Sequence, residues 1–148
     1  MQIRKASLND INPLADLFDQ YRIFYEQESA MKSAVSFLTQ RLENEESIIF
    51  VATEKEILMG FVQLYPIFSS TQMKRSWLLN DLYVNAAHRG KGISVKLIDK
   101  AKELAKNTNA AGLMLETAKS NDIGNKLYSR TGFELDAGHN YYSWEVSL

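Results

Sequence analysis

Apolar residues recur at intervals of three and four early in the chain, at Ile11, Leu14, Leu17, Phe18, Tyr21 and Phe24. That is the period of a helix with one buried face, and Ser7 ahead of it supplies a cap. Pro13 falls within the first turn or so, where a missing N–H is tolerated. A second helix is expected over residues 30–43 on Val35, Phe37, Leu38 and Leu42, and Glu43-Asn44-Glu45-Glu46 then reads as a solvated turn. Residues 2–5 look like a short first strand. Residues 47–53 are β-branched and apolar, Glu54-Lys55-Glu56 turns the chain, and residues 57–65 return as a second arm, which makes a hairpin.

Beyond the hairpin, Pro66 opens a stretch over residues 66–71 that reads as a loop, and residues 77–84 form the next strand. It runs into Arg89-Gly90-Lys91-Gly92-Ile93-Ser94 and then into a helix over residues 90–106, whose buried face is Val95, Leu97, Ile98, Ala101, Leu104 and Ala105. Residues 112–117 are a further strand and residues 121–130 a short helix, with Gly132 as its left-handed stop. Residues 133–135 and 141–146 are expected as two last strands. The order is β-α-α-β-β-β-α-β-α-β-β, without repeat or linker, so one domain over residues 1–148 is expected to close round a mixed sheet with helices on both faces.

Composition narrows the function. The 17 Lys and Arg against 18 Asp and Glu give a net charge of −1, which argues against sequence-independent nucleic-acid binding. The chain has no cysteine, so disulfides, a thiolate zinc site and a cysteine-borne covalent intermediate are excluded. His88 and His139 lack the partners and spacing for a metal site, and no metal is expected. No stretch approaches the roughly 18 apolar residues of a membrane span, and residues 1–7 carry no apolar signal core. The expectation is a soluble cytoplasmic protein with no membrane or nucleic-acid partner.

Against that neutral background the turn at Arg89–Ser94 is locally basic. Gly90 and Gly92 let the backbone come close to a ligand, and the helix start aims unpaired N–H groups and a positive dipole end at it. Arg89 and Lys91 add formal charge, and the device suits a phosphate.

A second signature lies downstream in Asn121, Gly124, Leu127, Tyr128, Gly132 and Phe133. With both signatures in this order, separated by one strand, the chain resembles the GNAT superfamily of acetyl-CoA-dependent N-acetyltransferases over nearly its whole length. The pattern Arg/Gln-x-x-Gly-x-Gly/Ala is met by Arg89, Gly92 and Ser94, with serine in place of the usual last Gly or Ala. Gly124 stands where the second pattern has alanine. The resemblance implies an α/β fold in the sense of α+β, with a central mixed, mostly antiparallel sheet splayed between its fourth and fifth strands and flanked by helices. It implies that the backbone of Arg89, Gly90, Lys91, Gly92, Ile93 and Ser94 holds the cofactor pyrophosphate. By the same resemblance the pantetheine lies along Leu82, Tyr83 and Val84 and the segment 115–117, Asn121 contacts the cofactor, and Tyr128 stands beside its sulfur.

Acetyl transfer to an amine needs a neutral nitrogen, a stabilised oxyanion and a proton for the departing thiolate. For a primary alkylamine with a pKa of about 10.4 the neutral form lies roughly 4.6 kcal/mol uphill at pH 7, so a base or a proton-conducting water chain is expected. Candidates are Asp81 and Glu116 on the central strands and Glu26 and Glu28 near the first helix. Asp81 is preferred, because alternation puts it opposite Leu82 and Val84. Tyr128 is the candidate acid, and the Tyr83 amide a candidate for polarising the thioester. Without cysteine, direct attack in a ternary complex is favoured.

The aromatic group Phe18, Tyr21, Phe24 and Tyr25, together with Tyr65 and Phe68, either walls an acceptor pocket or simply belongs to the core, and Tyr25, Glu26, Tyr65 and Glu116 are the candidate substrate-binding residues. Acidic Asp16, Asp19, Glu26 and Glu28 suit a small cationic amine such as a polyamine or amino acid, or they form a solvated face. The alternatives are a protein lysine or N-terminal acetyltransferase and a non-catalytic acyl-CoA-sensing module. A dinucleotide fingerprint fails, because Val95 occupies its third glycine position. The aromatic segment of Tyr141, Tyr142 and Trp144 offers a contact for a homodimer.

Overall fold

A computed structural model of the chain describes residues 1–147. It divides into two compact units, residues 1–116 and the segment from Thr117 onward. The first unit holds β1 (Gln2–Lys5), α1 (Ile11–Phe24), α2 (Met31–Glu43), β2 (Ile48–Glu54), β3 (Ile57–Ser69), β4 (Lys74–Val84), α3 (Ile93–Asn107) and β5 (Leu113–Met114). The second holds α4 (Asp122–Arg130). The sheet order is β1-β2-β3-β4-β5, antiparallel except for β5, which runs parallel to β4. Among the described residues no helix is long and apolar enough to cross a membrane.

Helices cover both faces of this sheet. Ile49, Val51 and Phe61 pack with Leu14, Leu17 and Phe18 of α1 and Leu38 of α2 into one core cluster. The alternate residues face α3, where Trp77 is 2% exposed and its indole N–H donates to Thr108 Oγ1 at 2.9 Å. Ser7 heads a 3₁₀ turn (Leu8–Asp10) rather than α1 itself. The Asp10 carboxylate accepts from the Ser7 N–H at 2.8 Å and from both terminal nitrogens of Arg4 at 2.8 and 2.9 Å, which ties β1 to the start of α1. Asp19 on α1 accepts from the Ser29 hydroxyl and the Ala30 N–H at 2.6 and 2.8 Å and so fixes the start of α2. These bonds hold both carboxyls below the usual carboxylate range.

Three expectations are corrected. The loop at residues 66–71 is strand as far as Ser69, so β3 and β4 form one long hairpin. Proline is tolerated there because pairing of β3 with β2 ends at Leu64 opposite Ile48, so Pro66 lies where β3 has β4 alone as its neighbour. The strand over 112–117 contracts to Leu113–Met114, which puts Glu116 outside the sheet. Residues 133–135 and 141–146 form no strand. Asp136 instead gathers the Gly138 N–H, His139 and the Tyr141 hydroxyl at 2.8 to 3.1 Å into a local loop, and Tyr142 and Trp144 stay 91% and 85% exposed.

Leu38 is fully buried between α1 and the sheet, whereas Met73 at the hairpin tip is 89% exposed. Leu38→Ala is expected to lower unfolding free energy by about 2–5 kcal/mol and Met73→Ala by no more than about 0.5 kcal/mol in urea titrations. Equal losses would contradict this placement of the core.

Candidate active site

β4 builds most of the site. Its ladder with β5 covers only Trp77 and Leu78, opposite Leu113 and Met114, so from Leu79 to Val84 no strand pairs with β4 on that side among the described residues. The expected splay between the fourth and fifth strands is therefore present. Leu82, Tyr83 and Val84 remain paired to β3, opposite Val62, Phe61 and Gly60. Because Asn85 N–H bonds Met59 C=O, alternation turns the main-chain groups of Tyr83 to Phe61 on β3 and the N–H groups of Leu82 and Val84 to the open edge, so the Tyr83 amide expected to polarise the thioester does not lie on that edge.

Beyond β4, Gly90 and Gly92 adopt left-handed φ values of 77° and 72°, a conformation that disfavours any side chain, and α3 begins at Ile93, three residues later than expected. The first helical bond into the turn is from Lys96 N–H to Gly92 C=O at 3.2 Å. The N–H groups of Gly90 through Val95 meet no backbone carbonyl among the described residues, which leaves a nest of donors at a helix start. Arg89 turns back on β4: its Nε donates to Val84 C=O at 3.0 Å and its guanidinium lies 5.5 Å over the Tyr83 ring. Lys91 is exposed beside the nest.

Asp81 lies three residues before Val84 on the opposite face from Leu82. Asp81 pairs with Gln63 but Leu79 pairs with Leu64, so Asn80 is a bulge without an opposite residue. The bulge inverts the alternation and turns Asp81 away from the α3 face that Leu79 shares with Leu64, toward α1. The carboxyl is 5% exposed; Gln63 Nε2 donates to its Oδ2 at 2.7 Å and Asn80 Nδ2 to its Oδ1 at 3.0 Å. Burial pushes Asp81 above the ordinary carboxylate range despite the lowering effect of Gln63, Tyr21 and Asn80. Tyr65, half-buried on the same face, is pushed up to about 12, first by burial and then by the Asp81 charge.

The structure brings Tyr25, Tyr65, Asp81 and Tyr83 to one region through Tyr21, whose ring lies 5.0 Å from Tyr25 and 6.2 Å from Tyr83. Glu26 follows α1 with a φ of 63° and is exposed, and Glu116 is exposed outside any strand. Tyr21 belongs to the aromatic group expected to wall an acceptor pocket, whereas Gln63 and Ser47 carry no site expectation from the sequence. A glutamine inside the apolar run Gly-Phe-Val-Gln-Leu is the signal that points to Gln63.

In the second unit Asn121 caps α4: its Oδ1 accepts from Gly124 N–H at 3.0 Å and its Nδ2 donates to Thr117 Oγ1 at 2.9 Å. A Cβ on Gly124 would lie 2.8 Å from Asn121 Cγ, so the absent methyl makes room for the cap. At the other end of α4, Phe133 N–H bonds Tyr128 C=O at 3.0 Å, Gly132 N–H bonds Ser129 C=O at 3.3 Å, and Gly132 is left-handed at φ 91°. This is a Schellman stop, with the Tyr128 and Phe133 rings edge-on at 5.7 Å as its apolar contact.

The family described as "Acetyltransferase (GNAT) family" matches residues 11–133, and the chain belongs to that family. It is 44% identical over 146 residues to the Bacillus subtilis (strain 168) protein described as an uncharacterized N-acetyltransferase, YhfO, covering 99% of this chain and 98% of that one. A probable acetyltransferase of Haemophilus influenzae is 32% identical over 148 residues and 99% of both chains. The crystal structure of a probable acetyltransferase superposes with a TM-score of 0.94 at 38% identity, again over 99% of each chain.

A Cβ on Gly92 meets no atom within 4 Å, so its substitution tests backbone strain alone. Gly92→Ala is expected to cost about 1 kcal/mol of stability. Gly112→Ala, equally uncrowded and without a left-handed φ, should cost nothing measurable. Chemical denaturation distinguishes the two, and a neutral Gly92→Ala would contradict the turn geometry.

Proposed function

We propose that this acetyltransferase moves an acetyl group from acetyl-CoA to a primary amine by direct attack in a ternary complex. The observation that carries the reading is on β4: the strand that opens its edge after Leu78 also presents a buried carboxyl, Asp81, on its other face. The nest at Gly90–Val95 would hold the pyrophosphate, with Lys91 and Arg89 supplying charge, and the open edge at Leu82–Val84 would hold the pantetheine. Asn121 and Tyr128 are assigned to the cofactor by the family's second signature.

In this reading Asp81 takes a proton from the acceptor ammonium, and the neutral nitrogen attacks the thioester carbonyl carbon. The C–N bond forms, the oxyanion is met by a backbone N–H on the open edge, that of Leu82 or Val84, and the C–S bond breaks. Tyr128 gives its phenolic proton to the thiolate, the nitrogen gives its second proton to water, and the phenolate takes a proton back from solvent. The acceptor class is a small cationic amine. Phe24 and Tyr25, 57% and 44% exposed at the end of α1, offer ring faces to a cation, and Glu26 adds a carboxylate.

A base must be ionised to act, so kcat/KM is expected to rise with pH through a midpoint above 3.8, the ordinary value for Asp81. Asp81→Asn should abolish that limb and lower kcat/KM by at least about 100-fold, and Tyr128→Phe should lower kcat by about 100-fold. The stability sign is opposite. A folded value above the unfolded one means that the folded chain binds more protons between the two, so stability falls as pH rises through that window, and Asp81→Asn removes the fall. An unchanged acid limb in Asp81→Asn would contradict the assignment of the base.

A further inference from the structure

On the sheet face otherwise built of Ile49, Val51 and Phe61, three polar side chains lie in a row across β2, β3 and β4. Ser47, just ahead of β2, is 6% exposed, Gln63 0% and Asp81 5%. The Ser47 hydroxyl donates to Gln63 Oε1 at 2.8 Å, and Gln63 Nε2 donates to Asp81 Oδ2 at 2.7 Å. Apolar residues at 47 and 63 would serve the core at least as well unless the carboxylate must be kept, since an ionised group is stable there only with its donors in place.

We infer that Ser47 and Gln63 are positioning residues for Asp81: the serine pins the amide so that only its N–H₂ end faces the carboxylate, which orients Asp81 and keeps it ionisable in a buried place. The inference rests on Asp81 being the base. The row is not a proton wire, because an amide held as acceptor at one end and donor at the other has no proton to pass on without changing tautomer. Reversing the amide would set its carbonyl against the carboxylate and lose the bond to Ser47. Ser47 therefore acts two side chains away from the chemistry.

Other groups bear on the same carboxyl. Tyr21 from α1 and Asn80 beside it donate to Asp81, Tyr65 on β3 and Tyr83 on β4 share its face, and Arg41 and Glu46, paired at 3.3 Å, bear on Tyr65. Among the described donors to Asp81, Gln63 is the one that is completely buried, and the Ser47 hydroxyl holds it.

The test follows the Asp81 carboxyl by ¹³C NMR titration beside the pH profile of kcat/KM, in wild type, Gln63→Leu, Ser47→Ala and Ser47→Thr. Removing the amide donor should raise the carboxyl midpoint and the acid limb together by about one pH unit. Ser47→Ala should raise both by less, and Ser47→Thr should restore wild-type values. Threonine keeps the hydroxyl, and Ser47 lines a surface concavity of about 700 Å³ with Pro66 and Trp77 that has room for a methyl group. If Gln63→Leu does not fold, the Ser47 pair carries the same comparison. A carboxyl midpoint that stays put in Ser47→Ala overturns the positioning role. A midpoint that moves while the acid limb does not overturns Asp81 as the base, and the inference with it.

Discussion

One extra residue in β4 governs what this sheet can do. Strand alternation alone would put Trp77, Leu79 and Asp81 on one face, and a carboxylate among the side chains packed on α3 would be buried without partners. The bulge at Asn80 separates them: Leu79 keeps its place opposite Leu64, and Asp81 swings to the face of α1, opposite Gln63. A bulge also adds local twist, and it falls two residues after the last pairing of β4 with β5. The open edge and the redirected carboxyl thus belong to the same short stretch of chain.

Backbone hydrogen bonding explains why that stretch suits a ligand. Main-chain donors and acceptors seek partners, and among the described residues neither the outer edge of β4 after Leu78 nor the nest at Gly90–Val95 finds them in a neighbouring strand or helix. Arg89 joins the two, since its bond to Val84 C=O fixes the turn against the end of the strand. A ligand with a phosphate at one end and amide groups along its length meets complementary groups in both places.

Much of this was legible in the residues. Helical periods located α1, α2 and α3 to within three residues at either end, and the two glycines announced the turn because no other residue accepts its φ so readily. Gly132 and Phe133 announced the Schellman stop of α4. Pro66 misled, because a proline signals a break only where its N–H has a neighbour to serve, and the free side of β3 past Leu64 depends on where β2 ends. The β-like alternation in residues 141–146 misled for the converse reason: local propensity does not supply an edge to pair with. The bulge at Asn80, and with it the row from Ser47 to Asp81, depends on inter-strand register, which side-chain periodicity does not encode.

The central claim is that the turn after β4 holds the pyrophosphate of acetyl-CoA. Calorimetric titration of the purified protein with acetyl-CoA, repeated on Gly92→Glu, tests it most directly, with NAD as the control ligand. The account predicts one acetyl-CoA bound per chain, no heat from NAD, and loss of binding when a carboxylate is set in the nest. No acetyl-CoA binding by the wild type, or binding untouched by Gly92→Glu, would contradict it.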